Sequence, residues 1–247
     1  MALVNEFEKQ GNFLFRYRGQ FPVLLFLLAV PFLYWSDTTS LSDTSKEIYY
    51  YSAVILSLLG FYIRAHTVGT TPKGTSGRNT KEQKAFVLNT TGIYSIVRHP
   101  LYLGNYFMWI GIVVFTYNPY FIIVVSLLYW IYYERIMYAE ERFLERKFGE
   151  EYMNWASGLP VFFPNIKLYK PSTIPFSLKM VLRREYSGVL ATLVGFIFVD
   201  VIRHYFSVGE WFIRPSSLYL LLGLVILALL LRTLKHHTAL LSEEGRS

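Results

Sequence analysis

The apolar residues of this chain are concentrated in six separate runs, with polar and charged residues between them. The runs cover residues 21–35, 48–63, 102–115, 120–133, 186–201 and 218–231. A helix needs roughly 20 largely apolar residues to cross the hydrocarbon core of a bilayer. The pattern therefore predicts an all-α, polytopic membrane protein with about six transmembrane helices.

The sequence Asn118-Pro119 interrupts the central apolar region. Asn-Pro favours a turn, and proline removes an amide donor that a continuing helix would need. The two flanking runs are therefore predicted to form an antiparallel helical hairpin. The feet of such a hairpin, near residues 98–106 and 133–141, lie close together at one membrane depth.

Residues 143–155 repeat apolar side chains at helical spacing and carry charges on the opposite face. The apolar members are Phe143, Leu144, Phe148, Tyr152 and Trp155. This periodicity predicts an amphipathic helix on the cytoplasmic membrane surface, broken near Gly149. The chain then divides into an N-terminal two-helix segment (1–66), a central core (67–170) and a C-terminal two-helix module (171–247).

The basic residues are distributed unevenly between the two membrane sides that six helices would define. Of the 24 Lys and Arg residues, only Lys46, Arg203 and Arg214 fall on one side. Cytoplasmic loops carry an excess of Lys and Arg. We therefore predict that both termini, the long loops and the feet of the hairpin are cytoplasmic, as in a protein of the bacterial inner membrane.

The composition excludes several kinds of chemistry. The chain has no cysteine, which rules out disulfides, thiolate catalysis and cysteine-ligated metals. The net charge of +7 lies along a membrane and forms no nucleic-acid recognition motif. No His-Glu-x-x-His sequence is present. The expected partner is thus a membrane lipid, and neither a metal nor nucleic acid.

The loop 67–92 is rich in Gly, Thr and basic residues. It contains Lys73, Arg78, Lys81 and Lys84, and Arg64 stands at its entrance. Backbone amides in glycine-rich turns bind anions, so this loop is a candidate phosphate-binding segment. A basic loop that only touches anionic lipid headgroups is the alternative.

The two feet of the hairpin carry opposite charges. Arg98, His99, Tyr102 and Gly104 lie at one foot, whereas Glu134, Glu140 and Glu141 lie at the other. Such a site suits a zwitterionic amino acid head, because an arginine binds a carboxylate and a glutamate binds an ammonium group. Nearby tyrosine rings would suit a sulfonium cation. An ion pair that only fixes the hairpin explains the same residues.

The sequence "TTGIYSIVRHPLYLGNY" resembles the Arg-His-Pro-x-Tyr-x-Gly signature of the integral membrane methyltransferases. "EERFLERKFGEEYMNW" and "LPVFFP" resemble their second signature and its proline-bounded end, in the expected order. The superfamily includes isoprenylcysteine carboxyl methyltransferases and phospholipid N-methyltransferases, and is related to membrane sterol reductases. The resemblance covers about residues 60–168.

This resemblance implies S-adenosylmethionine as the methyl donor. The residues that it assigns to donor binding are Tyr94, Arg98, His99, Pro100, Tyr102, Gly104, Glu140 and Glu141. Arg98, His99 and His66 are the catalytic candidates, and the histidines would act as bases for an amine or hydroxyl acceptor.

The acceptor follows less directly from the family pattern. Many relatives have a Lys/Arg pair where this chain has Ser157 and Gly158, so a carboxylate acceptor lacks its usual cationic partner. The loop 67–92 is similar to that of bacterial members assigned to methylation of the lipid A 1-phosphate. We therefore expect a lipid phosphate as acceptor, bound by Arg64, Lys73, Arg78, Lys81 and Lys84. The alternatives are carboxyl or phospholipid N-methylation, or an NADPH-dependent membrane reductase.

Overall fold

The computed structural model of the chain describes residues 2–38, 40–75, 83 and 85–246. Within these ranges the protein is helical and contains no strand, which confirms the all-α class. The helices are α1 (Leu3–Tyr17), α2 (Phe21–Trp35), α3 (Asp43–Gly69), α4 (Pro100–Val114), α5 (Pro119–Phe148), α6 (Glu150–Ser157), α7 (Leu178–Val208) and α8 (Pro215–His237).

Four of these helices, α3, α5, α7 and α8, are long and apolar enough to cross a membrane. Two shorter apolar helices, Val23–Trp35 within α2 and Pro100–Val114, occupy the first and third predicted runs. Each of the six apolar runs is therefore helical. The count of six membrane crossings stays a prediction, because length and composition support four.

The predicted hairpin is present as α4 and α5. The Asn118 side chain accepts a hydrogen bond from the Phe121 amide at 3.0 Å and so caps α5, with Pro119 in its first turn. However, α5 continues without a break to Phe148. The apolar residues Phe143 and Leu144 therefore extend the hairpin helix, and do not begin a separate surface helix.

The predicted break at Gly149 is confirmed. Gly149 has a φ of 56°, a conformation that glycine adopts without the steric penalty of a side chain. The short helix α6 follows, and the segment after it crosses back over the start of α4. There the Arg98 amide donates to the Pro160 carbonyl at 3.0 Å, and the Asn165 amide donates to the Ile96 carbonyl at 2.9 Å.

Helices α3 and α4 approach each other closely along a row of small residues. A methyl group added at Gly60 would lie 2.5 Å from the Gly104 carbonyl oxygen, and one added at Gly111 would lie 2.5 Å from the Ala53 carbonyl oxygen. The Ser57 hydroxyl donates across the interface to the Met108 carbonyl at 3.1 Å. Such small-residue contacts are typical of helix pairs in membranes.

Helix α1 was not among the predicted elements. Its Gly11 lies against the backbone of Arg135 on α5, and the Arg135 guanidinium lies 3.5 Å from the centre of the Phe7 ring. The Arg146 side chain also donates to Glu8 at 2.6 Å. The beginning of the chain is thus docked along the hairpin.

The C-terminal pair, α7 and α8, packs onto the rest of the bundle through α7, which contacts α2, α3 and α4. At one end of α7, Arg203 donates to Asp200 at 2.9 Å and to the Phe115 carbonyl at 2.7 Å. At the other end, Glu185 reaches the cavity described below. The division of the chain into three segments is not tested by these contacts.

Candidate functional site

The two feet of the hairpin meet through a carboxylate that accepts two hydrogen bonds. The Arg98 Nη1 atom lies 2.8 Å from Glu141 Oε2, and the His99 Nε2 atom lies 2.8 Å from Glu141 Oε1. His99 precedes Pro100, the first residue of α4, while Glu141 lies near the end of α5. The hairpin geometry thus brings these residues together as the sequence predicted.

The neighbouring carboxylate, Glu140, has a different set of partners. The Tyr102 hydroxyl donates to Glu140 Oε1 at 2.8 Å, and His99 Nδ1 lies 3.7 Å from Glu140 Oε2. The His99 ring thus lies between the two glutamates, and its side chain is only 7% exposed. One arginine, one histidine and two glutamates form a compact charged cluster.

Three packed tyrosine rings lie next to this cluster. The Tyr102 and Tyr133 rings have centres 4.7 Å apart, and those of Tyr129 and Tyr133 are 4.2 Å apart. The Tyr129 hydroxyl donates to the Tyr102 carbonyl at 2.6 Å. These rings form an aromatic surface next to the carboxylates, which is the environment that stabilises an organic cation.

Two further tyrosines approach the cluster from outside the hairpin. Burial, reinforced by the Glu140 carboxylate, raises the pKa of Tyr94 above its ordinary value, and burial beside Glu141 raises the pKa of Tyr152. Both phenols are therefore neutral at physiological pH. Trp155 on α6 donates to the Tyr94 carbonyl at 3.3 Å and holds this segment in place.

The cluster opens into a cavity of about 350 Å³. A cavity of this size falls within the range of small-molecule sites in proteins. Its polar wall is formed by Arg18, Arg64, Asn89, Tyr94, Arg98, His99, Tyr102, Asn105, Tyr133, Glu140, Tyr152, Arg184 and Glu185. The described part of the predicted loop also lines it, through Thr75, Gln83, Ala85, Val87, Leu88 and Asn89.

Three polar atoms in this wall have no hydrogen-bond partner among the described residues. They are Thr75 Oγ1, Arg98 Nε and the Tyr152 hydroxyl, and all three atoms are buried. Buried polar groups are nearly always paired, and an unpaired one in a binding site indicates a missing ligand atom. The residues present therefore fit a polar ligand placed beside Arg98.

Gly104 lies on the other side of α4. A methyl group at this position would lie 2.5 Å from Cγ of Arg64, and Gly104 does not line the cavity. The absent side chain makes room for the Arg64 stem between α3 and α4. The structure therefore gives Gly104 a packing contact with α3 in place of the ligand contact that the sequence suggested.

His66 is also placed away from the cluster. Its ring lies between Tyr62 and Phe176, with ring centres 6.2 Å and 6.5 Å away, and it does not line the cavity. Glu134, at the second foot of the hairpin, does not line the cavity and pairs with its neighbour Arg135 at 3.1 Å. Neither residue contacts the charged cluster.

Of the five cationic residues predicted to bind the acceptor, the structure describes Arg64 and Lys73. Lys73 is exposed, and its amide donates to the Gly245 carbonyl at 2.9 Å. Arg78, Lys81 and Lys84 lie outside the described residues. Arg64 lines the cavity, where it forms a bidentate ion pair with Glu185 at 2.7 Å and 2.8 Å.

Glu185 is the site residue that sequence reasoning missed. It is 2% exposed, and it lies at the start of the apolar run of α7. An ionisable residue at that position is a functional candidate by default, and this signal could have identified it. Its partner could not be identified in the same way, because only the packing of α7 on α3 brings the two together.

Among the residues that the structure describes, no group of three or more His, Cys, Asp or Glu side chains could hold a metal ion. The chemistry of the cavity is that of paired charges and phenols. These features define the class of the protein as a polytopic helical membrane protein with a charged, aromatic-walled cavity at one end of its bundle.

Comparison with known proteins names the family. Residues 48–151 match the family model described as phospholipid methyltransferase. The matched range includes most of α3, all of α4 and α5, and the charged cluster. Over this region the chain is similar to the integral membrane methyltransferase superfamily, which confirms the resemblance seen in the sequence motifs.

Individual relatives agree with this placement. A protein-S-isoprenylcysteine O-methyltransferase from Saccharomyces cerevisiae is 31% identical over 113 residues, 45% of this chain and 47% of that protein. One from Tribolium castaneum is 30% identical over 128 residues, 51% of this chain and 46% of that protein.

A bacterial relative, the nickel-cobalt-cadmium resistance protein NccN from Alcaligenes xylosoxydans xylosoxydans, is 33% identical over 95 residues, 38% of this chain and 42% of that protein. The chain thus spans about half the length of the curated relatives it matches. No solved structure matches the chain significantly.

Proposed function

We propose that this protein is a membrane methyltransferase that transfers the methyl group of S-adenosylmethionine to a lipid acceptor. The observation that carries the proposal is the cluster of Arg98, His99, Glu140 and Glu141 at the mouth of an aromatic-walled cavity. The superfamily match supports the same reaction class.

The residues of the cluster fit the donor's amino acid head. Arg98 has a buried Nε with no partner among the described residues and is a candidate for the carboxylate. Glu140 and Glu141 supply negative charge for the ammonium group. The faces of Tyr102 and Tyr133 offer a favourable surface to the sulfonium cation. When bound, S-adenosylmethionine supplies an electrophilic methyl group.

The protein's own contribution is orientation and exclusion of water. Tyr94 and Tyr152 are neutral phenols beside the cluster and do not compete for protons at physiological pH. Holding donor and acceptor in line converts a bimolecular reaction into an effectively unimolecular one. The loop segment lining the cavity would close it on the loop side.

The proposed acceptor is a membrane lipid or a lipid-linked group. Helices α3, α5, α7 and α8 are long and apolar enough to cross a membrane, and α3, α5 and α7 contribute residues to the cavity, which favours a lipid acceptor. The narrower acceptor suggested by the sequence, the lipid A 1-phosphate, finds no support among the relatives. Arg64, one of its five proposed contacts, is already paired with Glu185.

The test is methyl transfer by the purified full-length protein from labelled S-adenosylmethionine to extracted membrane lipids. We expect label in the lipid fraction. Mild alkali then separates the products, because a carboxyl methyl ester releases methanol whereas methylated amines and methyl phosphates retain the label. Mass spectrometry identifies the modified lipid. Absence of any transfer, to lipids from several bacterial and eukaryotic membranes, would contradict the proposal.

A further inference from the structure

The connector between α6 and α7, residues 158–177, presents large apolar side chains to its surroundings. Phe163 is 77% exposed, Ile166 is 76% exposed and Phe176 is 54% exposed. These residues lie outside the helices that are long and apolar enough to cross a membrane, so contact along a spanning helix does not account for them. Several exposed apolar side chains in one short segment mark an interaction surface.

The same connector is basic. Lys167 and Lys170 are both exposed, and Lys179 follows in the first turn of α7. The sequence has no Asp or Glu between Glu151 and Glu185. Apolar side chains combined with positive charge match the interface of a bilayer that contains anionic lipids. The lack of any carboxylate over this length favours an anionic membrane surface over a zwitterionic one.

Phe162 fixes the depth of the connector. Its buried ring packs against Tyr106 on α4 and Trp130 on α5, with ring centres 5.7 Å and 5.6 Å away. Both partners belong to apolar runs that the hydrocarbon core of a bilayer would surround. Phe163, the next residue, is therefore held at the edge of the hydrocarbon, and most of its side chain faces outward.

The basic part of the connector lies at the ends of the apolar helices. The Asn165 amide donates to the Ile96 carbonyl, just before α4, at 2.9 Å. The Ser177 amide donates to the Gly69 carbonyl, at the end of α3, at 2.9 Å. Two of the lysines lie between these anchors in the chain. The ends of membrane helices are at the depth of the headgroups, where lysine side chains meet lipid phosphates.

We propose that the connector is a membrane-contact surface that selects anionic lipids. Phe163 and Ile166 insert at the edge of the acyl region, and Lys167 and Lys170 bind the phosphates of the headgroups. The partner is the bilayer that surrounds the protein, and not the methyl acceptor in the cavity. The inference does not depend on the proposed methyl transfer.

The inner edge of the connector is hydrogen-bonded to the cavity wall. The Pro160 carbonyl accepts from the Arg98 amide at 3.0 Å, and the Lys170 amide donates to Ser95 Oγ at 2.8 Å. Arg98 lines the cavity, and Ser95 directly follows Tyr94, which also lines it. Contact with an anionic membrane therefore acts on the segment that holds Tyr94 and Arg98 in place.

The experiment uses the absence of cysteine from the chain, because a single introduced cysteine then carries a bimane fluorophore at one chosen position. The labelled variant is Phe163→Cys, in bilayers with equal amounts of phosphatidylglycerol and phosphatidylcholine. One or the other lipid has brominated acyl chains, which quench bimane on contact, and aqueous iodide reports exposure to water.

Two further labelled variants calibrate the quenching. Leu127→Cys, 60% exposed in the middle of the apolar run of α5, is the bilayer reference. Lys9→Cys on α1 is the aqueous reference, because it lies beside the Glu8–Arg146 pair beyond the end of that run.

The proposal predicts that brominated phosphatidylglycerol quenches the label at position 163 at least about twofold more than brominated phosphatidylcholine does, because lysines near the surface attract anionic lipid. The added double variant Lys167→Gln/Lys170→Gln should remove this difference. Lys9→Glu changes the net charge by the same two units and should retain it. The label at position 127 should be quenched equally by both lipids, and to the same extent in every background if the bundle is intact.

Four results would overturn the proposal. Iodide quenching without quenching by either brominated lipid would place the connector in water, and exclusion of all quenchers would place a protein partner on it. Equal quenching by both lipids would remove the anionic preference. A preference that survives Lys167→Gln/Lys170→Gln would assign it to other residues. No arm of the experiment uses the methyl donor, so its outcome is separate from that of the proposed function.

Discussion

At the scale of single residues, Glu141 determines how the two feet of the hairpin are joined. It accepts from Arg98 through one oxygen and lies 2.8 Å from His99 Nε2 through the other. Both bonds are partly buried, and a carboxylate in this position fixes two side chains at once. Its loss should therefore disturb ligand binding more than it disturbs the fold.

We predict that Glu141→Gln weakens S-adenosylhomocysteine binding by about tenfold or more, because an amide replaces the charged acceptor of two hydrogen bonds. The measurement is calorimetry, with thermal unfolding in parallel. Glu145→Gln, on the same helix and paired with the half-buried Arg142 away from the cluster, is the matched control and should bind normally. Equal affinity in both variants would remove Glu141 from the donor site.

The grouping of the hairpin residues could be predicted because Asn118-Pro119 places two helices antiparallel. With the turn known, residues near 98–102 and near 140 must meet at one depth. Glu185 could be noted as an unusual charge near an apolar run, but its role depends on which helix face of α7 meets α3. That packing is a tertiary property, and no local pattern in residues 178–208 specifies it.

At the scale of elements, the close contact of α3 and α4 holds Arg64 at the cavity wall. The helices can approach closely because Gly60, Gly104 and Gly111 lie at their interface. The sequence shows these glycines but not their partner, since a glycine in an apolar run can serve a kink, a ligand or a helix contact. Only Gly149, at a predicted break, could be assigned from sequence.

We predict that Gly60→Ala destabilises the protein by about 1–3 kcal/mol, the typical effect of overpacking a close interface. The added methyl group would lie 2.5 Å from backbone atoms of Gly104 and Met108, so the helices must separate. Thermal unfolding in one detergent should show a Tm several degrees lower. Gly223→Ala on α8, with nothing within 4 Å, is the control, and an equal shift in both would refute the contact.

Two elements show where pattern reading fails. Helix α1 contains no long apolar run, although its apolar residues recur at helical spacing, and it docks on α5 through Phe7 and Gly11. Helix α5 continues past its apolar run through charged residues such as Arg142 and Glu145, which remain helical outside the hydrocarbon. Hydropathy reports where a helix leaves the hydrocarbon, and says nothing about where the helix ends.

At the scale of the whole molecule, the charged cluster and the described part of the loop 67–92 line one cavity at the same end of the helical bundle. The orientation in which these lie in the cytoplasm is a prediction from the uneven distribution of Lys and Arg. Helices α2 and α4 decide the number of crossings, because both are shorter than a typical span.

We predict that reporters fused to the C-terminus and inserted between residues 40 and 42 lie on opposite sides of the membrane, with the C-terminus cytoplasmic. This follows if all six apolar helices cross. A third reporter at the N-terminus should agree with the C-terminal one. If the N-terminal reporter agrees instead with the 40–42 reporter, α2 does not cross and the count of six is wrong.

The central claim is that the cavity at the hairpin feet binds the donor of a methyl transfer reaction. The most direct measurement is calorimetry of the purified full-length protein with S-adenosylhomocysteine and, separately, with NADPH. The account predicts saturable binding of S-adenosylhomocysteine and none of NADPH. Binding of NADPH without S-adenosylhomocysteine would indicate the reductase branch, and binding of neither would contradict the enzymatic interpretation of the cluster.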